Sequence, residues 1–186
     1  MEIFKEAQRN FDYMVRIRRH MHEYPEMTGQ EFETLEFIKK ELDALGIEYV
    51  EVPDGGIVGQ IHGGKPGKTI CLRADMDALP IKEETGLPFA SRHEGFMHAC
   101  GHDGHATIGL GVAKVLMSIK DSLHGTMKLI FQPAEEGVRG AKSIVENGHL
   151  DGVDYLIGSH VSDKAADDPA VVIPGSHGSL ATTKYD

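Results

Sequence analysis

The sequence has no tryptophan, two cysteines, and fewer basic than acidic residues. Lys and Arg total 19 against 29 Asp and Glu, which gives a formal net charge of −10. Nucleic acids and anionic membranes bind basic surfaces, so this balance argues against both as partners. The two cysteines, Cys71 and Cys100, are too few for the disulfide framework of a small secreted protein.

Long apolar runs are also missing. No stretch approaches the ~18 consecutive apolar residues of a membrane-spanning helix. The opening sequence MEIFKEAQRN lacks the apolar core of a secretion signal. With 40% hydrophobic residues, the 186-residue chain can nevertheless bury a sizeable core. These features predict a soluble, cytoplasmic protein that keeps its thiols reduced.

The order of hydrophobic patterns predicts an α/β protein. Helical spacing indicates a helix from Phe4 to His22, and a second one that follows the capping-box pattern Thr28 to Glu31 and stops at Gly46. The predicted strands are 48–52, 57–62, 69–74, 126–131 and 155–158, the last of them buried, and the later helices are 103–119, capped by Asp103, and 139–147. This order predicts a layered sheet with helices on both faces.

The pattern changes after His160. A polar, alanine-rich stretch is followed by two strand-like runs at 170–173 and 179–185, and the sequence stops at Asp186 inside the second run. Natural domains seldom stop inside a strand. We therefore expect the sequence to be the first part of a longer protein.

Residues 97 to 105, MHACGHDGH, concentrate ligand-type side chains in one short stretch. Cys100 and His102 are two residues apart, so in an extended segment both side chains project to the same side. Thiolate and imidazole are common ligands of Zn²⁺ and related ions, and a thiolate can bridge two ions. The start of the predicted helix would also favour the thiolate form of Cys100. The alternative is a small buried cysteine among loop histidines.

Two adjacent carboxylates, Glu135 and Glu136, follow the apolar strand in the sequence FQPAEEG. A hydrolytic metal site needs one carboxylate that binds metal and a second that deprotonates the attacking water. Adjacent glutamates can divide these tasks, although paired glutamates are often an ordinary solvated surface. The position at a strand end favours the metal-site interpretation.

Further polar side chains follow two other predicted buried strands. Asp75 and Asp77 come after 69–74, and His160 comes after 155–158. Open α/β sheets bind ligands at the carboxyl ends of their strands. His160 is therefore a candidate ligand, and either aspartate could orient a ligand imidazole or simply be a solvated turn residue.

Four separated motifs resemble the M20 metallopeptidase family. RRHMHEYPE, LRADMDALPI, MHACGHDGH, and FQPAEEG followed by GA occur in this order from about Arg18 onward. They are most similar to the amidohydrolase branch, which includes hippurate hydrolases, indole-acetyl-amino-acid hydrolases, N-acetyldiaminopimelate deacetylases and aminobenzoyl-glutamate hydrolases. The stretches GLGVAKVL and LATTKYD look most like the aminobenzoyl-glutamate type.

The resemblance implies a site and a reaction. The implied ligands of two divalent ions, Mn²⁺, Zn²⁺ or Co²⁺, are Cys100, His102, Glu136 and His160. Glu135 would be the general base, and Asp77 matches the family's aspartate that supports a metal ligand. The implied reaction is metal-dependent hydrolysis of the amide bond of a small N-acyl amino acid with an aromatic acyl group, such as aminobenzoyl-glutamate or a hippurate-like substrate.

The resemblance also implies a zinc-exopeptidase-like catalytic domain that is incomplete here. Residues 1–175 would be its amino-terminal part, and 176–186 the start of an inserted dimerisation domain, so the whole protein would be a homodimer or would consist of paired subunits. The remainder would carry the last metal histidine and oxyanion-holding groups, so we expect little activity from this chain alone. The alternatives are a non-catalytic metal-binding or interaction module, and a family peptidase acting on peptides. Cys100 argues against the latter, since such relatives generally carry a carboxylate there.

Overall fold

The computed structural model describes residues 3–53, 55–137 and 140–161. The helices are α1 (Ile3–Arg9), α2 (Phe11–Glu23), α3 (Phe32–Leu45), α4 (His102–Ser118) and α5 (Gly140–Glu146), with a 3-10 turn at Lys120–Ser122. The strands are β1 (Glu48–Val52), β2 (Gly56–His62), β3 (Lys65–Asp75), β4 (His124–Gln132) and β5 (Tyr155–Gly158). The runs predicted at 170–173 and 179–185 lie outside the described residues, as does the domain boundary predicted after residue 175.

The strands form one mixed sheet in the order β1-β2-β4-β3-β5. β1 and β2 are antiparallel to their neighbours, whereas β3 is parallel to both β4 and β5. Asp75 at the end of β3 pairs with Gln132 at the end of β4, and Arg73 pairs with Gly158 at the end of β5. The carboxyl ends of three strands therefore meet at one edge of the sheet.

Side chains alternate between two hydrophobic cores, one on each face of the sheet. Leu129 and Phe131 of β4 belong to the larger core under α2, α3 and α4, while Ile130 belongs to the smaller core with Ile144 of α5. A Cβ at Gly109 of α4 would lie 3.0 Å from the Phe131 ring, so the glycine allows the helix to approach the sheet closely. The predicted layered α/β fold with helices on both faces is confirmed.

The first predicted helix is divided into α1 and α2 at Asn10. The Asn10 side-chain amide donates to the carbonyl of Glu6 at 3.0 Å, which competes with continued helical bonding. α3 ends as predicted, since Gly46 adopts a left-handed conformation with φ of 67°. Within the described ranges, no helix has both the length and the apolar character needed to cross a membrane.

The capping-box prediction for Thr28 and Glu31 is wrong. Glu31 precedes α3 but makes no side-chain cap hydrogen bond. The carboxylate of Glu26 instead accepts from the backbone amides of Glu33 and Thr34, at 3.0 and 2.7 Å. The Thr28 and Glu31 side chains are consequently available for contacts elsewhere.

β5 was predicted to be buried, and this is also wrong. Its apolar residues Tyr155, Leu156 and Ile157 are 54%, 56% and 50% exposed. The strand lies at the edge of the sheet and pairs, within the described part of the chain, with β3 alone. Its apolar sequence reflects a surface that the described residues do not cover.

Candidate metal centre

His102, the first residue of α4, presents one ring nitrogen in the form that binds metals. The side chain is fully buried, and Nδ1 lies 2.9 Å from the backbone carbonyl of Asp77 and 3.1 Å from its Oδ1. Both partners accept, so Nδ1 carries the proton and donates it. In the neutral ring Nε2 is then the nitrogen without a proton, and it is buried without a hydrogen-bond partner among the described residues.

Asp77 fixes this arrangement because its carboxylate joins three segments. Besides His102, it accepts from the Thr28 hydroxyl at 2.8 Å and from the Glu136 backbone amide at 3.0 Å. Burial alone would raise the pKa of Asp77, but these hydrogen bonds lower it to about 2. Asp77 is therefore ionised at neutral pH.

Cys100 and His160 meet beside His102. Sγ of Cys100 lies 3.3 Å from Nε2 of His160, whose Nδ1 donates to the carbonyl of Val161 at 2.5 Å. The Nε2 lone pair of His160 thus faces the thiol. One ligand-type atom from each of Cys100, His102 and His160 lies within 4.8 Å of the other two.

Glu135 and Glu136 approach His102 from the end of β4. The turn before them contains Ala134 in a left-handed conformation with φ of 52°. Its backbone amide donates at 2.8 Å to Oε1 of the buried Glu31. Oε1 of Glu136 lies 4.0 Å from Nε2 of His102. The ligand-type atoms of His102 and both glutamates also lie within 4.8 Å of one another, and Glu135 is the exposed member.

These residues fit a centre for divalent cations. His102 belongs to both groups, so it lies between a thiol–imidazole pair and a pair of carboxylates, and its Nε2 has no hydrogen-bond partner among the described residues. Sulfur, nitrogen and oxygen donors in this combination suit Zn²⁺ and neighbouring transition metals. The sequence-predicted residues Cys100, His102, Glu135, Glu136, His160 and Asp77 are all brought together.

The predicted thiolate form of Cys100 is wrong for the metal-free chain. Burial, followed by the hydrogen bond and negative charge of Glu136, raises the pKa of Cys100 to about 12. These effects outweigh the favourable field of the start of α4. Cys100 is therefore a thiol at neutral pH, and a cation bound by this sulfur would have to displace its proton.

Asp103 does not cap α4 as predicted. Gly101 occupies the cap position with φ of 84°, and Asp103 lies inside the first turn. Its buried carboxylate contacts Nδ1 of His22 at 2.7 Å and Nε of Arg18 at 3.0 Å. His22 also contacts Glu83 at 3.2 Å. This network attaches α2 to the segment that carries Cys100 and His102.

Sequence reasoning missed three supporting residues: Thr28, Glu31 and His105. Thr28 and Glu31 occur in a pattern that is equally typical of a helix cap, so their sequence contains no signal for the site. The position of His105 did contain a signal. It is three residues after His102, and residues three apart lie on the same face of a helix. Asp75 and Asp77 are both buried and both hold an imidazole, since Asp77 contacts Nδ1 of His102 and Asp75 contacts Nδ1 of His105 at 2.5 Å.

Comparison with known proteins identifies close relatives. The chain is 51% identical over 148 residues to N-acetyl-L-cysteine deacetylase of Bacillus subtilis, covering 79% of this chain and 36% of the relative. It is 49% identical over 156 residues to thermostable carboxypeptidase 1 of Saccharolobus solfataricus, covering 81% and 39%. IAA-amino acid hydrolase ILR1-like 2 of Arabidopsis thaliana is 48% identical over 160 residues, covering 86% and 36%. The chain thus spans well under half the length of these relatives.

Solved structures agree in fold. The Bacillus subtilis YXEP protein, a dinuclear metal-binding peptidase of the M20 family, matches with a TM-score of 0.79 and 43% identity, over 82% of this chain and 43% of that one. An aminobenzoyl-glutamate utilization protein from Klebsiella pneumoniae matches with a TM-score of 0.71 and 28% identity, over 87% and 46%. The model of peptidase family M20/M25/M40 matches residues 71–175, more than half of the chain. The chain belongs to this family.

Proposed function

We propose that this chain is the metal-binding part of a metal-dependent amidohydrolase that cleaves N-acyl amino acids. The observation that carries the proposal is the position of His102, which has a ligand-type atom within 4.8 Å of those of both the Cys100–His160 pair and the Glu135–Glu136 pair. A site that only stabilises a fold has closed coordination and no use for an additional exposed carboxylate.

The proposed division of roles follows from burial and contacts. The residues that would hold two divalent ions, Mn²⁺, Zn²⁺ or Co²⁺, are Cys100, His102, Glu136 and His160. Asp77 holds the Nδ1–H of His102, which leaves Nε2 free to bind. Glu135 is the more exposed of the two glutamates, so it is the one that can reach a substrate and its water.

The reaction uses Glu135 twice. Bound divalent ions would supply Lewis-acid polarisation of the amide carbonyl and would lower the pKa of the attacking water. Glu135 removes a proton from that water as it attacks the carbonyl carbon. It then delivers the proton to the amide nitrogen, and the carbon–nitrogen bond breaks to give a carboxylic acid and a free amino acid.

The proposed substrates are N-acyl amino acids with an aromatic acyl group, such as benzoyl-glycine or aminobenzoyl-glutamate. Support for the class comes from the similarity to proteins named N-acetyl-L-cysteine deacetylase and IAA-amino acid hydrolase. The aminobenzoyl-glutamate utilization protein supports the aromatic acyl group at lower identity, 28%. A panel of N-acetylcysteine, benzoyl-glycine and aminobenzoyl-glutamate separates these acyl groups.

A second candidate is removal of carboxy-terminal amino acids from peptides. The observation that favours it is the 49% identity to a protein named thermostable carboxypeptidase 1. Because both reactions hydrolyse an amide next to a free amino-acid carboxylate, the same panel extended by dipeptides decides between them. Faster cleavage of dipeptides than of every N-acyl amino acid would favour the peptidase.

The proposal is tested first by metal stoichiometry. Calorimetric titration of the metal-free chain with Mn²⁺ or Zn²⁺ should give two ions per chain, and Cys100→Ser or His160→Ala should reduce the number or the affinity. One tightly bound ion with closed coordination, or no binding, would indicate the non-catalytic module instead. The control is His62→Ala, which changes an exposed histidine on β2.

Hydrolysis provides the second test. We expect slow turnover, because the loss of an oxyanion-holding group alone typically lowers the rate by ~10²–10³-fold. Any metal-dependent turnover should disappear in Glu135→Gln and persist in Glu146→Gln, which changes an exposed glutamate of α5 that contacts Lys142. Equal turnover by the wild type and Glu135→Gln would contradict the assigned base.

A further inference from the structure

His105 lies in a buried chain of polar contacts that ends at the segment bearing His160. Nη1 of Arg73 lies 2.6 Å from Oδ2 of Asp75, and Oδ1 of Asp75 lies 2.5 Å from Nδ1 of His105. On the other side of the ring, the backbone amide of Val161 donates to Nε2 of His105 at 2.8 Å. Asp75 and His105 are 0% and 2% exposed.

The contacts fix the protonation of the His105 ring. A backbone N–H only donates, so Nε2 of His105 must accept the bond from Val161. Nδ1 then carries the proton and donates it to Asp75. Both nitrogens are engaged, so His105 has no lone pair for a cation even though its ring lies within 4.8 Å of ligand-type atoms of His102 and Asp75.

Among the described residues, the segment that His105 holds has few other buried contacts. β5, which leads into it, is an edge strand whose apolar side chains are half exposed, and His160 itself is exposed. Nδ1 of His160 donates to the carbonyl of Val161, so the orientation of the His160 ring depends on the Val161 backbone. The His160 and His105 rings are 4.6 Å apart in an edge-to-face arrangement. These contacts connect the buried His105 side chain to the orientation of the exposed His160 ring.

We propose that His105 is a positioning residue that fixes the Val161 backbone and thereby aims Nε2 of His160 at the metal position beside Cys100. The inference rests on the proposed function, because it assumes that His160 binds metal. It assigns His105 neither as a ligand nor as a proton carrier. Its two hydrogen bonds would affect a bound ion only through the position of His160.

The test is a double-mutant cycle with Co²⁺ affinity as the readout. His105→Leu should weaken Co²⁺ binding by ~10–100-fold, as expected for loss of a group that orients a ligand. His160→Ala should also weaken it, and adding His105→Leu to His160→Ala should have no further effect, since the residue that His105 acts through is gone. Additive effects, or unchanged affinity in His105→Leu, would overturn the proposal.

His105→Gln is the conservative variant. Its amide can donate to Asp75 and accept from Val161, so it should restore most of the affinity, whereas a role confined to ring packing predicts equal losses in both variants. The thiolate-to-Co²⁺ absorption band should remain in each, because Cys100 is unchanged. His62→Leu is the matched surface control.

A metal-free measurement separates failure of this inference from failure of the proposed function. Amide hydrogen exchange at Val161 should be faster in His105→Leu than in the wild type and close to wild type in His105→Gln. Unchanged exchange overturns the role of His105. If exchange responds as expected but His160→Ala leaves the Co²⁺ affinity unchanged, His160 is not a metal ligand. The proposed function is then wrong on this point, and so is the positioning of His160 for metal binding by His105.

Discussion

Asp77 accepts a hydrogen bond from Nδ1 of His102 at 3.1 Å, and through this contact it determines which nitrogen of the buried ring is free. The same carboxylate accepts from Thr28 in the segment before α3 and from the Glu136 amide after β4. A single side chain therefore aligns residues that are more than a hundred positions apart in the sequence. The centre depends on Asp77 although Asp77 need not touch an ion.

Replacing Asp77 should therefore weaken metal binding without removing a ligand. We expect Asp77→Ala to lower the affinity for Zn²⁺ by ~10–100-fold, the usual cost of losing the partner of a ligand histidine. Competition with a fluorescent chelator measures the change. Asp12→Ala, at an exposed position of α2, is the control. Equal affinity of Asp77→Ala and wild type would show that the His102 ring is oriented by other contacts.

Glu31 should contribute to stability through the turn that carries the glutamates. In Glu31→Ala the Ala134 amide loses the acceptor it has at 2.8 Å, and a buried donor left unpaired costs ~1–3 kcal/mol of unfolding free energy. Glu33→Ala is the matched control, because Glu33 is two residues away and exposed. Urea unfolding of both variants gives the comparison, and equal losses would mean that the turn does not depend on Glu31.

Replacement of Gly101 by alanine should reduce the unfolding free energy more than the same replacement at Gly95, which has a similar backbone conformation. Gly101 and Gly95 have φ of 84° and 85°, but an added Cβ would collide with the Val161 side chain at Gly101 and meet nothing within 4 Å at Gly95. Gly95→Ala should cost the ~1–2 kcal/mol of a left-handed L-residue. Gly101→Ala should lose more unfolding free energy and also Co²⁺ affinity, because Val161 adjoins His160. Similar losses in both variants would contradict the close packing.

The His22–Asp103 pair should make stability depend on pH. The hydrogen bond that His22 donates to Asp103 raises the pKa of His22 above its usual value, despite burial. The charge of Asp103 and the hydrogen bond to Glu83 also raise this pKa, whereas the charge of Arg18 lowers it. A raised histidine pKa stabilises the fold fully below the unfolded pKa of about 6.5, and this contribution is lost as pH rises through the folded pKa. The unfolding free energy of wild type relative to His22→Gln should therefore decrease as the pH rises above about 6.5. The exposed-site variant His62→Gln should show no such trend relative to wild type.

The sequence was sufficient for the sheet and for the cluster of candidate ligands. Apolar runs at 69–74, 126–131 and 155–158 predicted strands whose polar ends lie at one edge of the sheet, and the parallel register of β3, β4 and β5 confirms this. The family resemblance is likewise confirmed. The assignment of individual ligands and of the base stays a prediction, as does the boundary after residue 175.

The failures that concern polar side chains of the site have a common physical cause. Thr28 and Glu31 match the local sequence pattern of a helix cap, yet the Thr28 hydroxyl donates to Asp77 and the Glu31 carboxylate accepts from the Ala134 amide. The start of the nearby helix predicted a thiolate at Cys100, whereas burial and the hydrogen bond and charge of Glu136 raise the pKa of this thiol. Each mistake concerned a polar side chain whose partner is distant in sequence and therefore invisible to a local pattern.

The exposed edge position of β5 has a consequence for how the centre would assemble. His102 and Asp77 are buried and joined by a hydrogen bond, while His160 lies just beyond β5, the most exposed strand among the described residues, and is connected to His105 through the Val161 backbone. Segments with little buried area open at low free-energy cost. If His160 is a ligand, as we propose, its segment would open at lower free-energy cost than the buried part of the site, so release of a bound ion would begin at His160.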